Sequence, residues 1–199
     1  MLAGWGRDTM RDGGGNDFMA GGAGNDNMAG GPGDDLMLGE GGDDVDEALR
    51  EALRRETTVD RSFTLGQIRN IPEVRALVAP VEIQAITFDT GSAAIKPDQA
   101  QALASLGRVI AEQIRQNPGE MFLIEGHTDT VGADAMNLAL SDRRAESVAL
   151  ALTEFFRVPP ENMVVQGYGE QFLKVAREGD VRANRRAAVR RITDLLARN

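Results

Sequence analysis

From residue 81 onward, apolar positions change period several times, and each change marks an element. Val81 to Phe88 alternates as a strand does, and Thr90-Gly91-Ser92 supplies a turn. Lys96 to Ile114 repeats its apolar residues at helical spacing, with Leu103, Leu106, Ile110 and Ile114 on one side, and Asn117-Pro118-Gly119 ends the helix. Met121 to Glu125 is a short apolar run that predicts a buried strand. A long helix follows over Asp134 to Arg157, closed by Pro159-Pro160. Met163 to Gln166 is a third strand, Gly167 and Gly169 give a flexible exit, residues 170–185 read as a loop with a helical turn, and Arg186 to Thr193 is a last strand. Helices that alternate with strands pack on a sheet, so the expectation is an α/β (α+β) fold.

The long helix carries the most information. Asn137, Ser141 and Arg144 sit at i, i+4 and i+7 on one face. That stripe turns apolar further on, through Ala145, Val148, Leu152 and Phe155. A helix used only for packing keeps its buried stripe apolar throughout. Polar groups on the inward side, next to the loop His127-Thr128-Asp129-Thr130-Val131-Gly132, point to a lined pocket at one end of the core.

The first segment has a different period. Glycines recur at Gly6, Gly15, Gly24, Gly33 and Gly42, aspartates at Asp8, Asp17, Asp26, Asp35 and Asp44, and methionines at Met10, Met19, Met28 and Met37, all nine residues apart. Glycine permits tight turns with positive φ, and aspartate supplies the hard oxygen that suits Ca²⁺. The full units GGAGNDNMA and GGPGDDLML resemble the RTX nonapeptide. That resemblance implies a short N-terminal parallel β-roll over residues 3–45, with the five aspartates as calcium ligands and folding tied to the ion. Asp46 falls in the slot that the other units give to methionine.

Residues 46–80 read as a helical linker and lead-in. Glu47 to Glu56 is amphipathic through Ala48, Leu49, Ala52 and Leu53, with Asp46 as its N-cap. A helix this short is marginal alone, so it docks on either domain or pairs with another copy in a homodimer. A further short helix is expected over Pro72 to Val78.

Composition narrows the function. The 199 residues carry a formal charge of −9, which argues against nucleic acid as a partner. There is no cysteine and one histidine, which excludes a disulfide framework and a multi-histidine zinc site. No apolar run approaches the ~18 residues of a membrane span. The N-terminus lacks the layout of a secretory signal, and residue 3 already lies inside a repeat, so the expectation is that the chain is a fragment of a longer protein.

Gly126-His127-Thr128-Asp129, then Asn137, Leu140-Ser141, Arg144-Ala145 and Val148, resembles the signature of the OmpA-like C-terminal domain. The likeness extends from Ile86-Thr87-Phe88 to Gly167-Tyr168-Gly169 and Asn184-Arg185-Arg186. The resemblance implies a two-layer sandwich of mixed sheet and helices over residues 81–194. It also implies non-enzymatic binding of peptidoglycan through the diaminopimelate of the stem peptide, at the outer membrane or in the periplasm of a Gram-negative cell envelope. On that likeness Asp129 accepts from the ligand ammonium and Arg144 clamps its carboxylate. Asn137 supports the loop or donates to the ligand, Thr128 and Thr130 cap loop amides, Phe88 and Asp89 form a pocket wall, and Arg185 closes the site from the last strand.

The bland readings are a structural Asp129–Arg144 salt bridge, a structural His127, and a solvated basic edge at Arg182, Arg190 and Arg191. A glycosidase would need paired carboxylates, and Glu125 with Asp129 is the closest acidic pair, Glu125 ending a strand where it faces away. The alternative function is a calcium-dependent secreted or surface adhesin that uses the second domain as its wall anchor.

Overall fold

The computed structural model describes residues 9–11, 18–23, 27–29, 36–40, 43–55, 57–95 and 97–196. The first segment contributes four short strands: β1 (Thr9–Arg11), β2 (Phe18–Ala23), β3 (Asn27–Ala29) and β4 (Leu36–Glu40). β1 pairs in parallel with β3, Thr9 opposite Asn27, and β2 pairs in parallel with β4, Phe18 opposite Leu36. Each strand therefore meets the one two nine-residue periods away, as a roll with two repeats per turn requires. Asp8, Asp17, Asp26 and Asp35 lie outside the described residues.

Helix α1 (Asp43–Arg54) starts four residues earlier than its sequence pattern predicts. Asp46 is therefore inside the first turns and not the N-cap, and Asp44 sits on helical backbone. Leu53 is buried in the main core, and α1 lies along α4 (Pro97–Gln116). The lead-in forms α2 (Leu65–Asn70), which the sequence reading missed, and α3 (Pro72–Arg75). Thr64 caps α2: its hydroxyl accepts from the Gln67 amide while the Gln67 side chain accepts from the Thr64 amide.

The remaining strands are β5 (Val81–Thr87), β6 (Phe122–Gly126), β7 (Met163–Gly167) and β8 (Arg186–Arg191), in the order β5-β8-β6-β7. β8 runs antiparallel to both of its neighbours, and β6 and β7 are parallel. The mixed α/β layout is the one the alternating pattern predicts. Helix α5 (Asp134–Phe156) and α4 cover one face, over Phe122, Ile124, Ala187 and Val189. The lead-in covers the other: Phe63, Ile68, Val74 and Val78 pack with Leu123, Ile192 and Leu195. Residues of one strand alternate between these two cores, so the sheet is buried on both sides. The stripe on α5 ends at Leu152. Phe155, expected to continue it, is 70% exposed, and Phe156 turns inward instead.

Candidate ligand pocket at the head of α5

Two glycines bring α5 onto the sheet. Gly126 and Gly167 are paired across β6 and β7. A methyl group at Gly126 would collide with the Ser141 carbonyl oxygen, and one at Gly167 with the Asp142 backbone and the Ser141 hydroxyl. The close approach lets Ser141 Oγ accept from the Gly169 amide at 2.8 Å and donate to the Leu138 carbonyl at 2.6 Å. Asp142 accepts from the Gly167 amide at 2.6 Å. The helix is thereby tied to both strand ends, and the loop from His127 to Gly132 is fixed above them.

Arg144 is fully buried and organises that loop. Its Nη1 donates to the His127 carbonyl at 2.8 Å, its Nε to the Ser92 carbonyl at 2.9 Å and its Nη2 to the Asp89 carbonyl at 3.1 Å. The guanidinium carbon lies 5.0 Å from the centre of the Phe88 ring. Burial pushes the guanidinium down to about 10, with Asp129 opposing the shift and Arg185 adding to it.

Asp129 is paired with Arg185 and not with Arg144. Its Oδ2 lies 2.6 Å from Arg185 Nη1, and its Oδ1 accepts from the Val131 amide at 3.3 Å. Arg185 also pairs with Asp180 and donates from Nε to the Phe88 carbonyl at 2.9 Å. The bland reading of a structural Asp129–Arg144 salt bridge is thus not met: Asp129 pairs with Arg185, 56 positions along the chain.

Asn137 Nδ2 reaches the Asp129 carbonyl at 3.3 Å and the Glu170 carboxylate at 2.7 Å. Thr130 Oγ1 accepts from the Gly179 amide at 2.7 Å, as a capping hydroxyl should. Thr128 does not cap: its buried hydroxyl has no partner among the described residues. Asp89 is exposed, and it is the Asp89 carbonyl that meets Arg144.

A pocket of roughly 300 Å³ opens at the head of α5. Asp129, Asn137 and Arg144 line it; behind them Arg185 pairs with Asp129 and the Phe88 ring lies against the Arg144 guanidinium. The sequence reading missed Arg143, Val131 and Met136 on its rim. Arg143 is exposed and adds a second cation, while Val131 and Met136 are 42% and 71% exposed and make an apolar lip. Exposed apolar residues in a loop followed by a helix start are the signal that could have found them.

Behind the loop lies a second charged cluster, buried on the lead-in side. Glu125 is 1% exposed and accepts from Arg75 Nη1 at 2.9 Å and Arg190 Nε at 2.7 Å. Its side chain is turned to Arg75 and Arg190 on the lead-in side. Burial raises the Glu125 carboxyl, but His127, Arg190 and Arg75 outweigh it and bring it down to about 2. Arg190 is therefore no solvated edge; it is 7% exposed. Arg191 likewise pairs with Glu120 and Asp194, and only Arg182 is exposed. His127 is 1% exposed, stacks on Tyr168 with ring centres 5.9 Å apart, and keeps its Nε2 3.6 Å from Glu125, beyond hydrogen-bond length. Burial lowers the imidazole below its ordinary range, against the pull of Glu125.

Comparison with known proteins decides the family. The model of the OmpA family matches residues 87–187, just over half of the sequence. The chain belongs to the OmpA family. Its first segment matches the RTX calcium-binding nonapeptide repeat over residues 2–37 and 13–45. This OmpA-family chain is 34% identical over 85 residues to outer membrane porin F of Pseudomonas aeruginosa, a stretch covering 43% of this chain and 23% of that protein. It is 39% identical over 67 residues to the probable lipoprotein YiaD of Escherichia coli, covering 34% of this chain and 29% of that one. The chain thus spans less than a third of the length of these curated relatives. A solved structure, the peptidoglycan-associated lipoprotein from Burkholderia pseudomallei, is similar at 24% identity and a TM-score of 0.44, over 53% of this chain and 86% of that one. No helix among the described residues is long and apolar enough to cross a membrane.

Proposed function

We propose that this OmpA-family chain is a non-enzymatic cell-envelope protein that holds peptidoglycan without a covalent bond, by gripping the diaminopimelate of the stem peptide. The observation that carries this reading is that Asp129 and Arg144 face the same pocket of roughly 300 Å³, one an anion and the other a cation. Diaminopimelate presents an ammonium and a carboxylate on one carbon. The Asp129 carboxylate would accept from the ammonium, and the Arg144 N–H groups not directed at the Ser92, His127 and Asp89 carbonyls would donate to the carboxylate. Asn137, tied to the Asp129 carbonyl and to Glu170, fixes the distance between the two. A single stem peptide binds modestly, since hydrogen bonds to charged groups contribute about 1.5–3 kcal/mol each. The wall repeats its ligand, and several copies of the chain on one sacculus would be retained by avidity.

The N-terminal repeats bind Ca²⁺ in this reading. The donor set fits the ion: Asp8 and Asp26 directly precede the paired residues Thr9 and Asn27, and Asp17 and Asp35 directly precede Phe18 and Leu36. Aspartate carboxylates are the hard oxygen donors that Ca²⁺ takes.

Co-sedimentation with diaminopimelate-type sacculi tests the wall reading. The wild type should pellet, and Asp129→Asn and Arg144→Ala should stay in solution. Equal pelleting by the variants would sink the site assignment, and release of muropeptides on incubation would sink the non-enzymatic reading. Calorimetric titration with Ca²⁺ tests the repeats.

A further inference from the structure

The linker helix that joins the two parts of the chain is not a free tether. Leu53 of α1 is 1% exposed and belongs to the same core as Leu106 and Ile110 of α4, with Leu49 packed beside it. Asp46 is 6% exposed, and its two carboxylate oxygens each lie 3.3 Å from a nitrogen of Arg108 on α4. One turn further on, Arg50 Nε lies 3.1 Å from Glu112. A short amphipathic helix alone would fray, so these contacts hold it.

Asp46 is also the residue that breaks the nine-residue pattern, standing where four earlier units have methionine. The fifth unit gives up its strand and supplies a helix with a carboxylate aimed at α4. Only residues 41 and 42 separate the last strand of the array, β4, from α1. Three Cα–Cα steps, at most about 11 Å, join Glu40 to Asp43, so the array stays close to the docked helix. β4 itself runs beside α4.

We propose that the outer face of α4 is a docking surface for the chain's own calcium-repeat array, seated through α1, so that calcium loading of the array stabilises the OmpA-like domain. The inference rests on the reading of the repeats as calcium sites. An ion that binds only the folded array favours every segment that folds cooperatively with it. α4 continues the linkage toward the pocket, because Gln99 Nε2 donates to the Thr87 carbonyl at 2.7 Å, next to Phe88.

Hydrogen exchange of the full chain, with Ca²⁺ or with chelator, reads the coupling segment by segment, and calorimetry on the same samples reads calcium binding. In the wild type, Ca²⁺ should slow exchange in α1 and α4 by about tenfold or more. Arg108→Glu places a like charge on Asp46. It should keep calcium binding and lose the gain in α4, and the exchanged pair Asp46→Arg with Arg108→Glu should regain it. If Arg108→Glu does not fold, Asp46→Asn serves, with a reduced gain expected. Calcium binding that leaves α4 exchange unchanged in the wild type overturns the docking proposal alone. So does a full gain in a single-charge variant. A chain that binds no calcium overturns both this proposal and the calcium reading, while leaving wall binding to be judged on sacculi.

Discussion

Arg185 Nη1 sits 2.6 Å from Asp129 Oδ2, so the carboxylate at the pocket already has a buried cation before any ligand arrives. Both side chains are less than a tenth exposed. Removing one member of such a pair leaves an uncompensated charge, which costs about 3–5 kcal/mol. Arg185→Ala should lower the urea midpoint accordingly and weaken retention on sacculi by misplacing Asp129. Unchanged stability would show that the pair is solvated.

Arg144→Lys should destabilise the domain although the charge is kept. A lysine offers one compact ammonium where the guanidinium reaches the Ser92, His127 and Asp89 carbonyls together. Each buried carbonyl left without a donor costs about 1–3 kcal/mol, and at least one is orphaned. Equilibrium denaturation checks this, and wall binding should fall in parallel.

Arg143→Ala separates binding from folding. Arg143 is exposed on the pocket rim, so its loss should leave the denaturation midpoint within about 0.5 kcal/mol of wild type. Affinity for an anionic stem peptide should drop several-fold, with a shallower dependence on salt. Isothermal titration at two ionic strengths reads both.

Glu125 and His127 both contribute to the acid limb of stability, beside Glu120, whose carboxyl burial raises but Arg191, Thr193 and Asn117 bring below its ordinary range. Glu125 titrates near 2 in the fold against an ordinary 4.5, so its contribution is present above pH 4.5 and is lost as pH falls toward 2. His127 is held below 6.5 by burial, so the fold favours the neutral ring; stability is full above pH 6.5 and declines as pH falls below it. Thermal melts should drop in two stages, one beginning near pH 6.5 and one near pH 4.5. His127→Gln should flatten the first stage, and Glu125→Gln the second, at a cost of about 3–5 kcal/mol at neutral pH.

Gly126→Ala should destabilise by more than Gly119→Ala. A methyl at Gly126 meets the Ser141 carbonyl on α5, a backbone atom that cannot step aside, whereas at Gly119 the nearest atom is 3.4 Å away. Overpacking of this kind costs about 1–3 kcal/mol. A comparable loss in both variants would mean that the helix–sheet approach is looser than described.

Much of this was legible in the chain itself. Helical and alternating periods marked α4, α5, β5 to β8 and α1 to within a few residues, since each buries one face and so must repeat. The nine-residue period marked the first segment as a stacked repeat, while the structure decided which strands pair, Thr9 with Asn27 and Phe18 with Leu36. Spacing on α5 put Asn137, Ser141 and Arg144 on one inward face.

The partners were decided only by the tertiary structure. Asp129 lies 56 positions from Arg185, and no local period links them. Arg190 reads as a surface charge until β8 is seen between β5 and β6, with the lead-in packed over its second face. Asp46 reads as a cap until α1 is laid on Arg108. Local sequence determines which face of an element is buried, because that depends on neighbours three or four residues away. What a buried charge meets depends on chain crossings between distant segments, and those exist only once the sheet and its two covering layers have formed.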